Sequence, residues 1–386
     1  MRNILYLQYI NPAAYPPLEY GARIFASHGF CCHFFGVASV HTKPFRFPDV
    51  PGIEVENLPA APRGWRMKLH YLRYMVGAWR RARRLQAICV YVSDPLAAPA
   101  GWLLSLSGFR VIYHEHDGPA RANPRTFFER MIVWFRKALA RRADLIVFPQ
   151  AERLRLFQES TLTTRPSRLI WNCPMRQDAT TSPRIARKPD EPLRIYFHGS
   201  VNLRRVPLTL VEAAARCEFP VLLRIVGYET DSSQGVTEQL RQAVAAIPTG
   251  HVSIELPGAM DRHKLHEQMR DVHVGWINGL DWDVDVNLKH LVGASNKPFD
   301  YLAAGLPILV PDDPEWKSLY VGAGCALACD AKEPDSIAAA LRRLYDNPLE
   351  AQAMGERGRQ RILDDWNYEA KFQPVVDFLT QTDASA

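Results

Sequence analysis

The sequence predicts two α/β domains, each built on a doubly wound parallel sheet covered by helices. The chain has 386 residues, more than one hydrophobic core usually supports. Apolar, strand-like runs alternate with helix-like segments in two successive series, which is the pattern of a parallel sheet. A polar, proline-rich stretch separates the two series and is predicted to be a linker. Two such domains leave a cleft between the carboxyl ends of their strands, where sheets of this kind bind ligands.

The first domain is predicted over residues 1–175. Its strands are short apolar runs near 4–9, 31–37, 53–57, 88–93, 110–115, 144–148 and 168–172. Helices are expected between them, near 65–86, 97–107, 125–142 and 150–158. Residues 176–192 have no apolar periodicity and form the predicted linker.

The second domain is predicted over residues 193–365 and repeats the alternation. Its strands lie near 193–197, 221–226, 251–256, 272–277, 308–310 and 325–328. Its helices lie near 207–217, 235–246, 262–270, 297–304, 334–346 and 349–363. The C-terminal segment 366–386 contains one more predicted helix, near 367–380.

Composition limits the class of protein. Apolar residues make up 47% of the chain, enough for two packed cores. No uncharged apolar run is long enough to span a membrane, and the start of the chain is too short for a secretion signal, so we expect a cytoplasmic protein. The seven cysteines are scattered and form no C-x-x-C pair, which argues against a disulfide framework or a zinc cluster.

Charge is divided unevenly between the two halves of the chain. Residues 1–174 carry 24 Lys and Arg against 11 Asp and Glu, a net charge of +13. Residues 175–386 carry 23 against 30, a net charge of −7. We therefore expect the two halves to face different partners.

The stretch 295–313 is the most informative part of the sequence. It predicts a loop, a helix that Asn296 can cap and Gly305 can end, and a buried strand. Lys297 and Asp300 stand three residues apart on one face of that helix. A helix N-terminus with a lysine suits a diphosphate, and an acid one turn along suits a pair of sugar hydroxyls. The alternative is an ordinary strand–helix crossover with a solvated lysine.

Several segments, taken in order, resemble the GT-B glycosyltransferases of family 4 (glycosyl transferases group 1). The matching segments are 194–205, 223–227, 252–258, 296–307, 354–359 and 366–368, with weaker matches at 114–117, 143–148 and 172–174. The resemblance implies two Rossmann-like domains that face a central cleft, with a C-terminal helix crossing back. It also implies transfer of a sugar from a nucleotide donor.

The resemblance assigns donor contacts to the second domain. Gly199 would let the backbone approach the donor, while Arg205, with Arg204 beside it, and Lys297 would meet the diphosphate. Asp300 would bind the ribose hydroxyls. Fixed cations and helix N–H groups stabilise the charge on a departing diphosphate without a metal, so we expect neither metal nor cofactor and a UDP- or GDP-linked sugar as substrate. The full donor-binding set is Gly199, Ser200, Arg204, Arg205, Gly227, Ser295, Asn296, Lys297 and Asp300.

The chain departs from the family pattern at one position. The family has two acids, and Val292 stands where the first would be, eight residues before Asp300. Either Ser295, Asn296 and backbone amides hold the donor sugar, or the chain belongs to a variant subgroup, to which the family's stereochemical course is not carried over.

In the first domain, His114-Glu-His-Asp117 ends a predicted strand. Alternation places His114 and His116 on one face and Glu115 and Asp117 on the other. By resemblance, His116 and Asp117 are the catalytic residues that contact the transferring sugar or the acceptor. A structural histidine pair and a metal-binding His-x-His pair are the alternatives.

Residues 281–285 (Asp-Trp-Asp-Val-Asp) contain alternating acids and suggest a metal loop. A calcium-binding EF-hand loop that starts at Asp281 would need Gly and Glu where Val286 and Val292 stand. We predict an exposed acidic loop and no metal site.

The segment 63–85 packs eight cations and several aromatic residues into the length of one helix. Such a helix can lie on an anionic bilayer, with membrane contacts from Arg80, Arg81, Arg83 and Arg84. A helix that packs within the domain and carries solvated arginines is the alternative. Nucleic acid is disfavoured because no nucleic-acid motif accompanies the cations and the other half of the chain is acidic.

We therefore predict a metal-independent hexosyltransferase or related glycosyltransferase. It would act on a lipid-linked or polysaccharide acceptor in bacterial surface glycan synthesis, at the inner face of the plasma membrane. A catalytically silent GT-B partner subunit and a GT-B nucleotide-sugar epimerase are the alternatives.

Overall fold

The computed structural model describes residues 2–38, 46–47, 49–62, 64–118, 124–230, 232–282 and 286–383. The chain divides into two compact units. Unit 1 comprises 1–172, 285–294 and 368–386, and unit 2 comprises 173–284 and 295–367. This division differs from the predicted one: residues 173–192, which include the expected linker, and residues 366–367 lie inside unit 2, and residues 285–294 belong to unit 1.

Unit 1 contains a seven-stranded parallel sheet in the order β3-β2-β1-β4-β5-β6-β7. The strands are β1 Arg2–Gln8, β2 Phe30–Val37, β3 Ile53–Leu58, β4 Cys89–Ser93, β5 Val111–His114, β6 Leu145–Phe148 and β7 Ser167–Leu169. The helices are α1 Pro16–Ser27, α2 Arg66–Arg84, α3 Ala98–Leu106, α4 Phe127–Ala140 and α5 Ala151–Thr161. Every strand predicted in this half is present.

Unit 2 contains a six-stranded parallel sheet in the order β10-β9-β8-β11-β12-β13. Its strands are β8 Leu193–Val201, β9 Val221–Glu229, β10 Val252–Gly258, β11 Val274–Trp276, β12 Ile308–Pro311 and β13 Ala326–Cys329. Its helices are α6 Leu208–Ala215, α7 Val236–Ala245, α8 Arg262–Gln268, α10 Asn296–Ala303, α11 Pro314–Trp316, α12 Pro334–Asp346 and α13 Pro348–Asp364. The doubly wound α/β prediction is confirmed in both units.

The two remaining helices belong to unit 1. They are α9 Val286–Lys289 and α14 Tyr368–Asp383. Phe372 of α14 stacks edge-on against Phe25 of α1 at a ring-centroid distance of 5.1 Å. A side chain at Gly21 would meet the Phe372 ring at 3.0 Å, so this glycine lets the two helices pack. The chain therefore ends by returning to unit 1, as the resemblance implied.

Helix α1 was not predicted from the sequence. Two adjacent prolines, Pro16 and Pro17, occupy the first two positions of the helix. A proline is tolerated there because the first N–H groups of a helix have no partner within it. The apolar face of α1 then packs on the sheet through residues such as Leu18 and Phe25, both fully buried.

The segment 176–192, predicted as a linker, is fastened to unit 2. The Arg184 guanidinium donates hydrogen bonds to backbone carbonyls of Met269, Ala304, Arg270 and Val272. Polar and proline-rich composition indicated a free connection, but the half-buried Arg184 supplies donors to four carbonyls that no local pattern reveals.

Replacing Arg184 with Met should loosen this segment. Four carbonyls would lose a charged donor, so we expect the free energy of unfolding to fall by about 2–3 kcal/mol. Urea denaturation measures this, and thermolysin should cut within 176–192 sooner. Lys188→Met, at an exposed neighbouring position, is the control; identical behaviour of the two variants would contradict the assignment.

Candidate functional site

In unit 2, two glycines bring the backbones of β8 and β9 together beneath a lysine. Gly199 has φ of +125°, and a side chain there would lie 2.8 Å from Cε of Lys297. A side chain at Gly227 would lie 1.8 Å from the Gly199 carbonyl oxygen. Only glycine fits at either position. The structure thus brings together three predicted site residues that are far apart in sequence.

Arg205 is fixed beside this point. Its Nη1 donates to Oγ of Ser200 at 2.7 Å, and its backbone N–H donates to the Asn202 side chain at 3.0 Å. Trp276 Nε1 donates to the Arg205 carbonyl at 2.9 Å, which anchors the loop to β11. Arg205 and Ser200, predicted as donor contacts, are therefore neighbours and are held in place by unit 2 itself.

Arg204 occupies a different environment from Arg205. Its side chain is exposed, while its carbonyl accepts the N–H of Leu280 at 2.6 Å. A side chain at Gly279 would come within 2.2 Å of the same carbonyl oxygen. The backbone of Arg204 thus supports the loop, and its guanidinium is available to solvent.

Lys297 stands in an environment that disfavours its charge. Burial, and after it the charge of Arg205, lower the pKa of Lys297 to about 7, while Asp300 opposes the shift. The ammonium lies 5.6 Å from the centroid of the Phe197 ring. An anion bound here would favour the protonated form.

Helix α10 begins at Asn296, and the residue before it, Ser295, is the N-cap. The prediction that Asn296 caps the helix is wrong, because Asn296 already has the first helical position. The Ser295 side chain makes no capping hydrogen bond, so the first-turn N–H groups have no side-chain acceptor from the cap. Oδ1 of Asn296 is buried and has no hydrogen-bond donor among the described residues.

Asp300 lies one turn into α10 and is buried, with only 5% of its surface exposed. Nε2 of His198 lies 3.5 Å from Oδ2 of Asp300. The backbone N–H of His198 donates to the Tyr301 hydroxyl at 3.0 Å. His198 was missed by sequence reasoning, although its place directly before Gly199 at the end of a buried strand was a usable signal.

In unit 1, the end of β5 separates its polar residues by face as predicted. The rings of His114 and His116 lie 3.8 Å apart, and Nδ1 of His114 is 2.7 Å from the Tyr91 hydroxyl. Glu115 points away and pairs with Arg136 at 2.6 Å. This buried ion pair is structural, whereas the histidines lie at the carboxyl end of the sheet.

The His116 imidazole is neutral at physiological pH. Burial lowers the pKa of His116 to about 3, and the positive charge of Arg153 contributes to the shift. Asp117, the other predicted catalytic residue, is exposed, and one of its oxygens lies 3.2 Å from Nη1 of Arg153. His116 is therefore suited to hydrogen bonding rather than to accepting a proton.

Asp94 joins this group and was not predicted. It follows β4 with φ of +65°, a backbone conformation that non-glycine residues rarely adopt and that clusters at functional sites. Its Oδ1 accepts the backbone N–H of His116 at 2.9 Å, and its Oδ2 accepts Nε2 of Gln8 at 3.2 Å. Burial raises the pKa of Asp94 to about 7, against the lowering effect of those hydrogen bonds.

Metal binding finds no support in the described part of the chain. No group of three or more His, Cys, Asp or Glu side chains there could hold a metal ion. Of the acidic loop 281–285, Asp283 and Asp285 lie outside the described residues. His114 of the His-x-His pair already bonds a tyrosine.

Helix α2 presents three of the four predicted membrane-contact arginines to solvent. Arg80, Arg83 and Arg84 are exposed. Arg81 is the exception, because its guanidinium binds both oxygens of Glu56 and lies 3.8 Å from the centroid of the Phe35 ring. The side chain of Arg81 thus faces the sheet, and the membrane contact of the four arginines stays a prediction.

Two protein-family models match parts of the chain. A family model described as glycosyl transferase 4-like domain matches residues 19–172, and one described as glycosyl transferase-like matches residues 252–377. No curated protein sequence matches the chain.

Solved structures share the whole fold at low identity. Sucrose-phosphate synthase from Thermosynechococcus elongatus superposes with a TM-score of 0.73 at 15% identity, over 100% of both chains. HepE from Anabaena in complex with UDP gives 0.70 at 14% identity, over 99% of this chain and 100% of that one. WaaG, a glycosyltransferase involved in lipopolysaccharide biosynthesis, gives 0.65 at 13% identity, over 98% and 99%. The chain belongs to the glycosyltransferases of GT-B fold, in the group that resembles family 4.

Proposed function

We propose that this protein transfers a hexosyl or related sugar from a nucleoside-diphosphate donor to an acceptor hydroxyl, without a metal. One observation carries the proposal. The uncapped start of α10, Lys297 and Arg205 converge at Gly199, where the lack of a side chain lets Lys297 lie against the backbone, and the lack of a side chain at Gly227 admits the Gly199 carbonyl. This set of groups has the charge and the hydrogen-bond donors that a diphosphate requires.

The same groups would assist bond cleavage. Negative charge grows on the diphosphate as its bond to the anomeric carbon breaks. Lys297, Arg205 and the N–H groups of α10 stabilise that charge from fixed positions, so little reorganisation accompanies the step. The exposed guanidinium of Arg204 supplies a further cation at the mouth of this site.

The nucleoside is assigned to the neighbouring acid. Asp300, held by His198, accepts hydrogen bonds from the ribose hydroxyls. HepE was crystallised with UDP and with UDP-glucose, and its fold is similar to this one, which favours a UDP-linked donor here.

Unit 1 would contact the reacting sugar or the acceptor. His116, neutral at physiological pH, hydrogen-bonds sugar hydroxyls, and Asp117 offers an exposed carboxylate beside it. Val292, which takes the place of an acid, is buried and apolar. The donor sugar is therefore held by Ser295, Asn296 and backbone amides rather than by a carboxylate at that position.

Helix α2 supports membrane attachment and hence a lipid-linked acceptor in bacterial surface glycan synthesis. Its buried face, which includes Tyr74 and Ala78, packs on the sheet. A second apolar face is exposed, with residues spaced by three or four: Trp65, Leu69, Leu72, Val76 and Trp79. An exposed row of arginines runs alongside it: Arg66, Arg73, Arg80 and Arg84.

This arrangement suits an anionic bilayer at the inner face of the plasma membrane. The apolar stripe would enter the headgroup boundary, and each nearby cation would add about 1 kcal/mol. No helix among the described residues has the length and apolarity to cross a membrane. Attachment would thus be peripheral.

A panel of UDP-, GDP- and TDP-sugars tests the function. We expect at least one donor to raise the melting temperature and to release its nucleotide, with Lys297→Met lowering turnover on the order of 10²–10³-fold. Lys332→Met, at an exposed position, is the matched control. If no nucleotide sugar in the panel raises the melting temperature or is turned over, the proposal is contradicted. If a nucleotide sugar binds but is not turned over with any acceptor, the silent partner subunit is favoured.

Donor binding should depend on pH through Lys297. In the free protein the pKa of Lys297 is lowered to about 7, and a bound diphosphate raises it, so affinity is greatest below pH 7 and falls as pH rises. Calorimetry with a nucleotide sugar from pH 6 to 8.5 should show a Kd that increases by up to about tenfold per pH unit above 7. Lys297→Arg, charged throughout, should flatten the profile; an unchanged slope would exclude Lys297 as the titrating group.

Vesicle flotation tests the membrane contact. The protein should float with vesicles that contain anionic lipid but not with neutral ones. Replacing Arg80, Arg83 and Arg84 with Glu should abolish flotation, whereas the same charge change at the exposed residues Lys188, Arg241 and Lys332 should not. Equal loss in both triple variants would show that net charge, and not the α2 surface, drives binding.

A further inference from the structure

Arg153 is a buried arginine on α5 that binds two separate segments of unit 1. Its side chain is 4% exposed. Nη1 donates to the His116 carbonyl at 2.7 Å and to Oδ1 of Asp117 at 3.2 Å. Nε donates to the His290 carbonyl at 2.7 Å, and Nη2 donates to the Asn287 carbonyl. One guanidinium thus joins the His116–Asp117 turn to residues 286–294.

Further hydrogen bonds within unit 1 also hold the segment 286–294. Oδ1 of Asn287 accepts the Gly118 N–H at 3.0 Å, and its Nδ2 donates to the Gly118 carbonyl at 3.3 Å. At the other end of the segment, the Asn172 N–H donates to the Gly293 carbonyl and its Nδ2 donates to the Ala294 carbonyl, both at 2.7 Å. The segment 286–294 is therefore held at both ends within unit 1.

Arg136, another buried arginine of unit 1, shows what a purely structural role looks like. Arg136 binds both oxygens of a single carboxylate, Glu115, under the sheet. Arg153 instead distributes its donors over three main-chain carbonyls and one carboxylate. Donation to carbonyls fixes backbone geometry, and the backbone it fixes carries His116 and Asp117 at the carboxyl end of β5.

The chain runs directly from this segment into the diphosphate-binding helix. Ala294 is the last residue of the segment, and the next residue, Ser295, is the N-cap of α10. We propose that Arg153 is a positioning residue that holds the His116–Asp117 turn and residues 286–294 as one body. The rate of sugar transfer then depends on Arg153, while nucleotide affinity does not. This inference rests on the proposed function of His116 and Asp117.

Replacement by lysine separates charge from geometry. An ammonium is a point charge with three donors and cannot reproduce the planar fork that reaches all four acceptors. A misplacement of about 1 Å at a reacting group costs up to about 10²-fold in rate. Arg153→Lys should lower kcat by roughly 10–100-fold and leave the donor Kd within about twofold.

The matched control lies on the same helix. Arg155 is exposed, and it forms ion pairs with the surface acids Glu152 and Glu159. Arg155→Lys should change neither kcat nor Kd. Asn287→Ala, which breaks the contact with Gly118 and leaves Arg153 intact, is the second test variant and should also lower kcat selectively.

Hydrogen–deuterium exchange provides a readout that needs no activity. Arg153→Lys should speed exchange of the amides of Gly118 and of residues 286–294, and Arg155→Lys should not. Unchanged exchange, or a kcat equal to that of the wild type in folded Arg153→Lys, would overturn the proposal. Faster exchange in a protein with no transferase activity of its own would support the positioning role and reject the proposed function instead.

Discussion

The close approach of two strand ends in unit 2 is the constraint on which the account depends. Gly227 is pressed against the carbonyl of Gly199, and Gly199 lies beneath Lys297, so a methyl group at either glycine would displace the others. The cost of this packing is a lysine whose charge is disfavoured in the free protein. A diphosphate would offset that cost, because it brings the negative charge that the enclosed ammonium lacks. Binding energy and catalysis therefore have the same physical source.

The candidate site residues of unit 1 are held in place differently from those of unit 2. Its polar residues at the carboxyl end of the sheet are neutral or held by backbone hydrogen bonds, and Asp94 keeps a strained conformation to bind the turn that carries His116. Strain of this kind persists only where the surroundings determine it. Arg153 on α5 supplies several of the hydrogen bonds that hold this turn. The α2 surface proposed to contact a membrane lies in the basic first half, whereas the acidic second half holds Lys297 and Arg205 at the proposed diphosphate site.

The sequence predicted the sheets well because buried parallel strands are continuous apolar runs that local patterns reveal. It failed where a long-range contact decides the structure. Helix α1 was hidden by two prolines at its start, and residues 176–192 look like a linker until Arg184 is seen to bind four carbonyls. The site followed the same rule: Lys297 and Asp300 belong to a recognisable motif, whereas His198 and Asp94 acquire a role only through partners far away in the chain. The sheet-facing contact of Arg81 was hidden for the same reason, because Arg81 lies on helix α2 and its partner Glu56 lies on strand β3.

The most direct test compares the affinities of UDP, UMP and uridine by calorimetry at pH 6.5. Most of the binding energy should come from charge-assisted hydrogen bonds between the diphosphate and the α10 start, Lys297 and Arg205. UDP should then bind at least about 100-fold more tightly than UMP, with uridine weaker still. Equal affinities for the three ligands, or no binding of UDP, would contradict the assignment of this site to a nucleotide diphosphate.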